Sequence, residues 1–274
     1  MKKYTLTLLL TAAPLFAGTP APVAPAPQYN SEQGFTLGLE PMALRPFQSS
    51  GNYDKSDYDF GYRGSLGYQF NDGLFLKATY FGYNTDTLDN SPSLLTHESA
   101  HMSVSYLDFV VGQTFKPTET FKLSPSIGLR WATFNEGYSR TTTGSGFTAV
   151  TQVPVTTYSH IRNAFSGLGL VAGLDATRML ANNFSLYGTL KESAVFGNCD
   201  ASNTPGGTSS YSSSTDRVLF VSEMGLGVQY DFAFSSVAAN VRLGVEGQWW
   251  AGQSQDNSEN TGLAGFVLGA NFRF

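Results

Sequence analysis

Long apolar runs are scarce in this sequence, and their scarcity excludes one class of membrane protein. After the first 17 residues, no segment offers the roughly 18 consecutive apolar side chains that a transmembrane helix needs. Glycines such as Gly61, Gly64 and Gly67 also recur, and each would cost up to about 1 kcal/mol inside a helix. The sequence therefore does not predict a helical membrane protein.

Charged residues are scarce as well, at 14% of the chain against roughly 25% in soluble domains. Acidic residues outnumber basic ones by 21 to 16, and the formal net charge is -5. Without Lys2 and Lys3, 14 of the 16 basic residues remain, and the net charge falls to about -7. Phosphate binding requires a basic surface, so nucleic acid is not expected among the partners.

Cysteine is nearly absent, since Cys199 is the single one in the chain. An exported protein with one cysteine has no intramolecular disulfide and must gain its stability elsewhere. What the chain has in abundance is glycine, with 29 residues, and aromatic side chains, at 14%. Together with the low charge, this composition is typical of a β-barrel held by its hydrogen-bond ladder.

The N-terminal segment resembles an export signal. Lys2 and Lys3 precede an apolar run from Tyr4 to Ala17, which is the layout of a secretory signal peptide. The Pro/Ala stretch "GTPAPVAPAPQ" follows, and because proline cannot donate to a sheet, it is read as an extended linker. We predict a signal peptide over 1–17, a periplasmic linker over 18–34 and one domain over 35–274.

The chain ends on a strictly alternating stretch, "LAGFVLGANFRF". One set of side chains, from Ala264 to Phe274, is wholly apolar, and the other mixes small, polar and charged groups. The same pattern recurs in "ANVRLGVEGQWWA" and "VLFVSEMGLGVQYDF", where the charges again fall on one side. Such strands predict an apolar face toward lipid and a polar face toward a lumen.

This pattern predicts about ten strands, an even number as in bacterial outer-membrane barrels. They lie near 35–46, 56–70, 73–84, 99–116, 119–140, 155–179, 182–197, 216–232, 237–251 and 260–274. Short turns such as "NDG", "KPTE", "LANN" and "AFSS" alternate with long polar links such as "NCDASNTPGGTSSYSSSTD". The fold class is therefore all-β: an antiparallel transmembrane β-barrel with short periplasmic turns and long extracellular loops. Residues 135–160 are the place where an extra outer hairpin would be hidden.

Two sets of residues follow from the alternation. An aromatic girdle is expected where strands meet the periplasmic turns, formed by Phe70, Phe115, Phe121, Phe184, Phe232 and Phe274. Inward-facing charges are expected at Glu40, Asp59, Arg63, Lys77, Asp108, Arg130, Asp175, Lys191, Glu223, Arg242, Glu246 and Arg273. Because Asp108, Arg130 and Asp175 sit on consecutive strands, we expect them to lie close together.

Three stretches resemble a known family, the pore-forming outer-membrane proteins typified by the major outer-membrane protein of Legionella. They are "DFGYRGSLGYQF" from 59, "YLDFVVGQTFKPTETFKLSPSIGLRWA" from 106 and "AFSGLGLVAGLDATRMLANNFSLYGTLKESAVFG" from 164. Val110 departs from the inward acidic pattern that such proteins often continue after Asp108. The resemblance implies a barrel in the outer membrane of a Gram-negative bacterium, and a terminal aromatic read by the barrel assembly machinery.

Two functions stay open at this point. The first is a structural barrel with surface-exposed loops, whose inward charges either pair and fill the lumen or line a narrow pore for small solutes. With about ten strands the opening would be narrow at best, because wide aqueous channels need roughly 16 to 18. Partners are then outer-membrane lipid and the assembly machinery, and no cofactor, metal or catalysis is expected.

The second is a barrel enzyme, a protease or a lipid-modifying protein, that uses a histidine at the outer rim. His97, His101 and His160 all fall near predicted extracellular ends, where acids and serines are close in sequence. The spacing of His97 and His101 in loop and strand does not favour a metal site. Cys199 is predicted in an outer loop beside Asp200, as an exposed thiol.

Overall fold

The computed structural model describes residues 33–48, 57–89, 96–147, 152–181, 183–205, 211–234, 237–252 and 260–274. Within these ranges the secondary structure is β-strand apart from short turns. The strands are β1 (Gly34–Gln48), β2 (Asp59–Gln69), β3 (Leu74–Asp89), β4 (Thr96–Gln113), β5 (Phe115–Thr118), β6 (Phe121–Phe147), β7 (Gln152–Ala181), β8 (Phe184–Pro205), β9 (Tyr211–Phe234), β10 (Val237–Ala251) and β11 (Thr261–Arg273). No helix in the described residues is long and apolar enough to cross a membrane.

The strands close into one antiparallel barrel. Each long strand pairs with its neighbours in chain order, β4 pairs directly with β6, and β1 pairs with β11 from Thr36↔Arg273 to Gln48↔Thr261. The short β5 pairs with β6 beside a turn and is not counted among the strands of the barrel wall. In the described part of the chain, ten long strands thus form the closed barrel, which confirms the predicted fold class.

The described residues within 135–160 form no extra outer hairpin, so the predicted count of ten strands holds there. β6 and β7 stay in one register from Phe121↔Arg178 to Phe147↔Gln152, so the same two strands simply continue. Thr141, Thr142 and Thr143 read as loop in sequence because they are polar, yet β-branched residues keep the extended backbone. Most strands outlast their predicted ends at this side, which the pattern assigned to the cell surface.

The short turns lie at the opposite side, assigned to the periplasm. In the turn "NDG", Gly73 takes a left-handed φ of 88°, and the Asp72 carboxylate accepts a hydrogen bond from the Leu74 amide at 3.0 Å. Asn183 has a φ of 69° in the turn before β8. The turn "AFSS" lies partly outside the described residues. The predicted signal peptide, most of the predicted linker and the tips of the long loops lie outside them.

The two faces of each strand differ as the alternation predicts. On β10, Leu243 and Val245 point outward and are more than half exposed, whereas Glu246 and Gln248 point inward and are buried. On β9, Met224 and Leu226 face outward, and Glu223 faces inward. Lipid would cover the outward face, so its exposed apolar side chains carry no solvation cost in a membrane.

The interior differs from the predicted polar lumen in its extracellular half. Buried apolar side chains fill that half, and we call this set the outer core: Met42, Leu44, Phe81, Tyr83, Ala100, Met102, Val104, Tyr106, Ala132, Phe134, Phe165, Val195, Cys199, Leu219, Val221, Trp250, Leu263 and Val267. Ten strands enclose little more than side chains, so these residues pack as in a soluble domain. The lumen is therefore layered, apolar near the cell surface and polar toward the periplasm.

Candidate functional site

Directly below the outer core, charged side chains from several strands meet around Arg63 on β2. The Arg63 guanidinium donates hydrogen bonds to the carboxylates of Glu40 at 2.9 Å and Glu246 at 2.5 Å, and it lies 3.3 Å from Glu223. Glu40 is the cross-strand neighbour of Arg63 on β1, while Glu246 reaches it across the lumen from β10. One guanidinium thus binds acids from three strands.

A second arginine, Arg130 on β6, lies next to this group and shares the carboxylate of Glu223 with Arg63. Its guanidinium donates to both carboxylate oxygens of Asp108, at 2.6 and 2.8 Å, and lies 2.6 Å from Glu223. Its charged carbon also sits 3.8 Å from the ring centroid of Tyr106, within cation–π range. Arg130 is fully buried, so these partners replace its hydration.

Tyr106 and Glu223 each contact both arginines, and Lys191 joins them through Asp108. The Lys191 ammonium donates to Asp108 at 3.2 Å, and the Tyr106 hydroxyl donates to Glu223 at 2.7 Å. We call the whole set the lumen charge cluster: Glu40, Arg63, Tyr106, Asp108, Arg130, Lys191, Glu223 and Glu246. Three cations face four acids, so the cluster largely neutralises itself and presents no ring of one sign, as an ion-selective filter would.

The remaining predicted inward charges lie elsewhere. Asp175 is opposite Ser124 on β6, whereas Arg130 is opposite Gly169, so the expected proximity of Asp175 to Arg130 is wrong. Asp175 instead lies 3.7 Å from Lys77, nearer the periplasm. At the outer end, Asp59 accepts a hydrogen bond from Thr85, and at the other end Arg273 is near the barrel mouth. Barrel strands are tilted and staggered relative to one another. The position of a residue along its own strand therefore does not tell which residues lie at the same height in the lumen.

Below the lumen charge cluster lies a polar cavity of about 550 Å³. The cluster forms its roof through Glu40, Arg63, Lys191 and Glu246. Hydroxyl and amide side chains line its walls, among them Ser65, Thr79, Ser185, Thr189, Gln229 and Asn271. The lining continues to Thr120, Lys122 and Asn183 beside the short turns, so the cavity faces the periplasmic end of the barrel.

Tyr106 is a member of the lumen charge cluster that the sequence did not predict, although it shares the inward side of its strand with Asp108, two residues away. On β9, the alternation predicts that Gln229 and Asp231 point inward with Glu223, and both line the polar cavity. Gln229 accepts a hydrogen bond from Arg242 at 2.7 Å and donates one to Asp231 at 2.6 Å. Alternation thus predicts the direction of an uncharged inward side chain but not which charged groups it binds.

The histidines lie on strands at the extracellular end. His101 on β4 lies 2.6 Å from the Asp86 carboxylate on β3, its cross-strand neighbour, and His160 on β7 lies 2.8 Å from the Ser139 hydroxyl. Both pairs are exposed on the outward face of the strands. His97 is on β4, and its side-chain contacts fall outside the described residues. Among the residues described, no group of three His, Cys, Asp or Glu could hold a metal ion.

The prediction of Cys199 as an exposed loop thiol is wrong. Cys199 lies within β8, points inward and is fully buried in the outer core. β8 continues to Pro205, so the residues that read as a loop around the cysteine are strand. The thiol packs there as a small apolar group.

The predicted aromatic girdle falls at the short-turn end of the wall. Phe115, Phe184 and Phe274 are at least half exposed, and Phe184 packs against Tyr230 with ring centroids 4.8 Å apart. Phe232 stacks with Tyr230 and with Phe234. Phe70 and Phe121 are partly buried at the ends of β2 and β6.

Comparisons with known proteins agree with this architecture. The family model of the Legionella pneumophila major outer membrane protein precursor matches residues 26–274. The outer membrane protease OmpT from Escherichia coli has a similar structure, with a TM-score of 0.52 and 10% identity, over 88% of this chain and 97% of that one. At this identity the likeness concerns the fold alone.

A major outer membrane protein from Thermus thermophilus also matches, with a TM-score of 0.43 and 17% identity, over 88% of this chain and 99% of that one. The P. putida toluene transporter TodX gives a TM-score of 0.36 and 12% identity over 91% of each chain. No curated protein matches the sequence.

Proposed function

Because the chain belongs to the family of the Legionella pneumophila major outer membrane protein, we propose that it is a structural outer-membrane barrel whose lumen is closed at rest. The protein resides in the outer membrane of a Gram-negative bacterium, as its family does. A closed lumen would distinguish this barrel from one that conducts small solutes continuously.

The fully buried layer across the lumen supports the proposal. Trp250 and Phe134 have no exposed surface or almost none, and their rings lie 6.1 Å apart within the outer core. Trp250 donates a hydrogen bond to Gln248, which in turn donates to Glu246 of the lumen charge cluster. Apolar packing and ion pairing are thus coupled, and a conducting state would require both to separate.

Single-channel recording of the refolded protein in a planar bilayer tests the closed lumen. We expect no steady openings from the wild type. The double variant Trp250→Ala/Phe134→Ala removes two large rings from the outer core together with the hydrogen bond that holds Gln248 beside Glu246, and we expect discrete openings from it because both layers are loosened.

Trp249→Ala is the matched control. Trp249 is the adjacent residue on β10 but points outward and packs against Phe47, so its removal leaves the lumen unchanged. Each preparation is first shown to be folded by its heat-modifiable mobility in gels. Steady openings from the wild type would overturn the closed lumen in favour of a narrow pore.

One observation favours the alternative of a barrel enzyme, namely the short contact between His101 and Asp86. An acid so placed can orient a general base. However, the pair is exposed on the outward face, and the lining of the polar cavity includes neither residue. We therefore propose that the pair is a cross-strand contact, and a hydrolytic activity of the purified barrel that is lost in His101→Ala would refute this.

The proposal includes the predicted partners and the predicted chain organisation. Outer-membrane lipid would cover the outward apolar face, and the barrel assembly machinery would insert the chain after removal of residues 1–17. Residues 18–34 would then form the periplasmic linker that leads into β1. N-terminal sequencing of the mature protein tests the boundary after residue 17, and limited proteolysis of the refolded barrel tests the one after residue 34.

A further inference from the structure

We propose that Arg242, Gln229 and Asp231 form a binding site for a small zwitterion with the charge spacing of an α-amino acid. The three side chains line the polar cavity below the lumen charge cluster. The cavity faces the periplasm, so a ligand can reach the site from that side even in a barrel whose lumen is closed. The site therefore does not depend on whether the lumen conducts.

The geometry of the three side chains is defined by two strands. Arg242 on β10 is the cross-strand neighbour of Gln229 on β9, and Asp231 is two residues further along β9 on the same face. The Gln229 amide oxygen accepts from Arg242 Nε at 2.7 Å, while the amide nitrogen donates to Asp231 at 2.6 Å. A single buried amide therefore holds a guanidinium and a carboxylate apart.

Further contacts fix the two charges in place. The Arg242 guanidinium carbon lies 5.1 Å from the centroid of the Tyr187 ring. The Ser185 hydroxyl donates to Asp231 at 3.3 Å, and the Asp231 amide donates to the Asn183 carbonyl at 2.9 Å. The side chains are thus oriented before any ligand arrives, which lowers the entropic cost of binding.

Neither charge is neutralised by a direct ion pair within the described residues. The acids of the roof, Glu40 and Glu246, are bound by Arg63; Glu40 also lies beside Arg242 at Gly269 but forms no direct ion pair with it. Lys77 lies beside Asp175. The hydrogen bond of Arg242 to Gln229 uses only Nε, which leaves the terminal amino groups for a further acceptor. Likewise, the side-chain donors to Asp231 in the described part of the chain, Ser185 and Gln229, are uncharged.

An α-amino acid matches this arrangement. Its carboxylate can accept hydrogen bonds from the terminal amino groups of Arg242, and its ammonium can donate to Asp231. Two carbons separate its carboxylate oxygens from its ammonium nitrogen, only one more than separates the oxygen and nitrogen of the Gln229 amide, so the ligand matches the short spacing that this amide sets. The ligand would lie alongside that amide and complete the neutralisation of both charges.

Ligand-observed NMR with glycine and the full refolded chain in micelles tests the site. We expect glycine to bind the wild type and Arg242→Gln to weaken binding at least about tenfold, since a charged hydrogen bond is lost. Asp231→Asn should weaken it as well. Acetate, methylamine and 4-aminobutyrate should bind less tightly than glycine, because each lacks one charge or the close spacing.

Arg178→Gln is the control for loss of charge. Arg178 is exposed near the same end of the barrel, and the lining of the cavity does not include it. Heat-modifiability establishes folding for every variant. The proposal is overturned if folded wild type does not bind glycine, if acetate binds as tightly as glycine, or if Arg178→Gln weakens binding as much as Arg242→Gln.

Discussion

Arg130 is a guanidinium that water does not reach, and its partners are buried carboxylates. We expect Arg130→Ala to lower the free energy of unfolding by about 3–5 kcal/mol, because it leaves Asp108 and Glu223 charged and without this cation. Urea unfolding of the refolded protein measures the change. The control Arg178→Ala removes an exposed arginine and should stay within about 0.5 kcal/mol of the wild type. Equal stability of the two variants would contradict the role of the lumen charge cluster.

Alternation in the sequence was sufficient to predict which residues point inward but not which of them pair. Arg130 and Asp108 are direct cross-strand neighbours, so their contact was predictable once the strands were aligned. Glu223 reaches Arg130 from the other side of the lumen, and Asp175 lies too near the periplasm to do so. Contacts across a barrel depend on shear and strand tilt, which no short stretch of sequence encodes.

Strands β7 and β8 approach each other closely at Gly169 of β7, which has no side chain to hold them apart. A Cβ atom on Gly169 would stand 1.9 Å from the Ala194 carbonyl oxygen, which belongs to the backbone of β8. We expect Gly169→Ala to cost about 1–3 kcal/mol, since the strands must shift to admit the methyl group. The temperature at which heat-modifiable mobility is lost measures the effect.

Gly137→Ala provides the comparison for this variant. No heavy atom lies within 4 Å of the corresponding Cβ position, so the substitution should leave that temperature nearly unchanged. A similar loss of stability in both variants would mean that backbone freedom, rather than the approach of β7 to β8, sets the requirement for glycine.

Strand identity was largely predictable, whereas strand length at the extracellular end was not. The polar stretch around Thr142 reads as a loop because it lacks the apolar residues that mark the outward face of a membrane strand. In the structure Thr142 still pairs with Thr157 across β6 and β7. Backbone hydrogen bonds continue into water wherever extended conformation and register persist, and polar side chains do not end them.

The barrel closes at a seam between its first and last strands. The Phe274 amide donates to the Phe35 carbonyl at 3.0 Å, and β1 pairs with β11 along its length. We expect deletion of Phe274 to reduce the heat-modifiable barrel in outer-membrane fractions to well under half, because the last rung and the terminal aromatic are lost together. Phe274→Tyr keeps both and should insert normally. Normal levels of the deletion variant would refute a role for the terminal residue.

The overall architecture could be predicted because two patterns agreed, alternating strands and alternating link lengths. The layered interior could not. Alternation places Leu219, Val221 and Trp250 on the inward side of their strands, but the charges on that same side predicted a polar lumen along its whole height. Only closure of the sheet shows that one set of these side chains packs against itself.

The outer core has a consequence for the compartments that the barrel separates. If the lumen is closed as proposed, the outer core covers the cell-surface side of the polar cavity, and the barrel is a cup inverted over the periplasm rather than a tube. The water in the cavity would then exchange with the periplasm and share its acidity and salt. An antibiotic or a bacteriocin arriving from outside would meet only the outer core, and the cavity surface would be accessible from the periplasm alone.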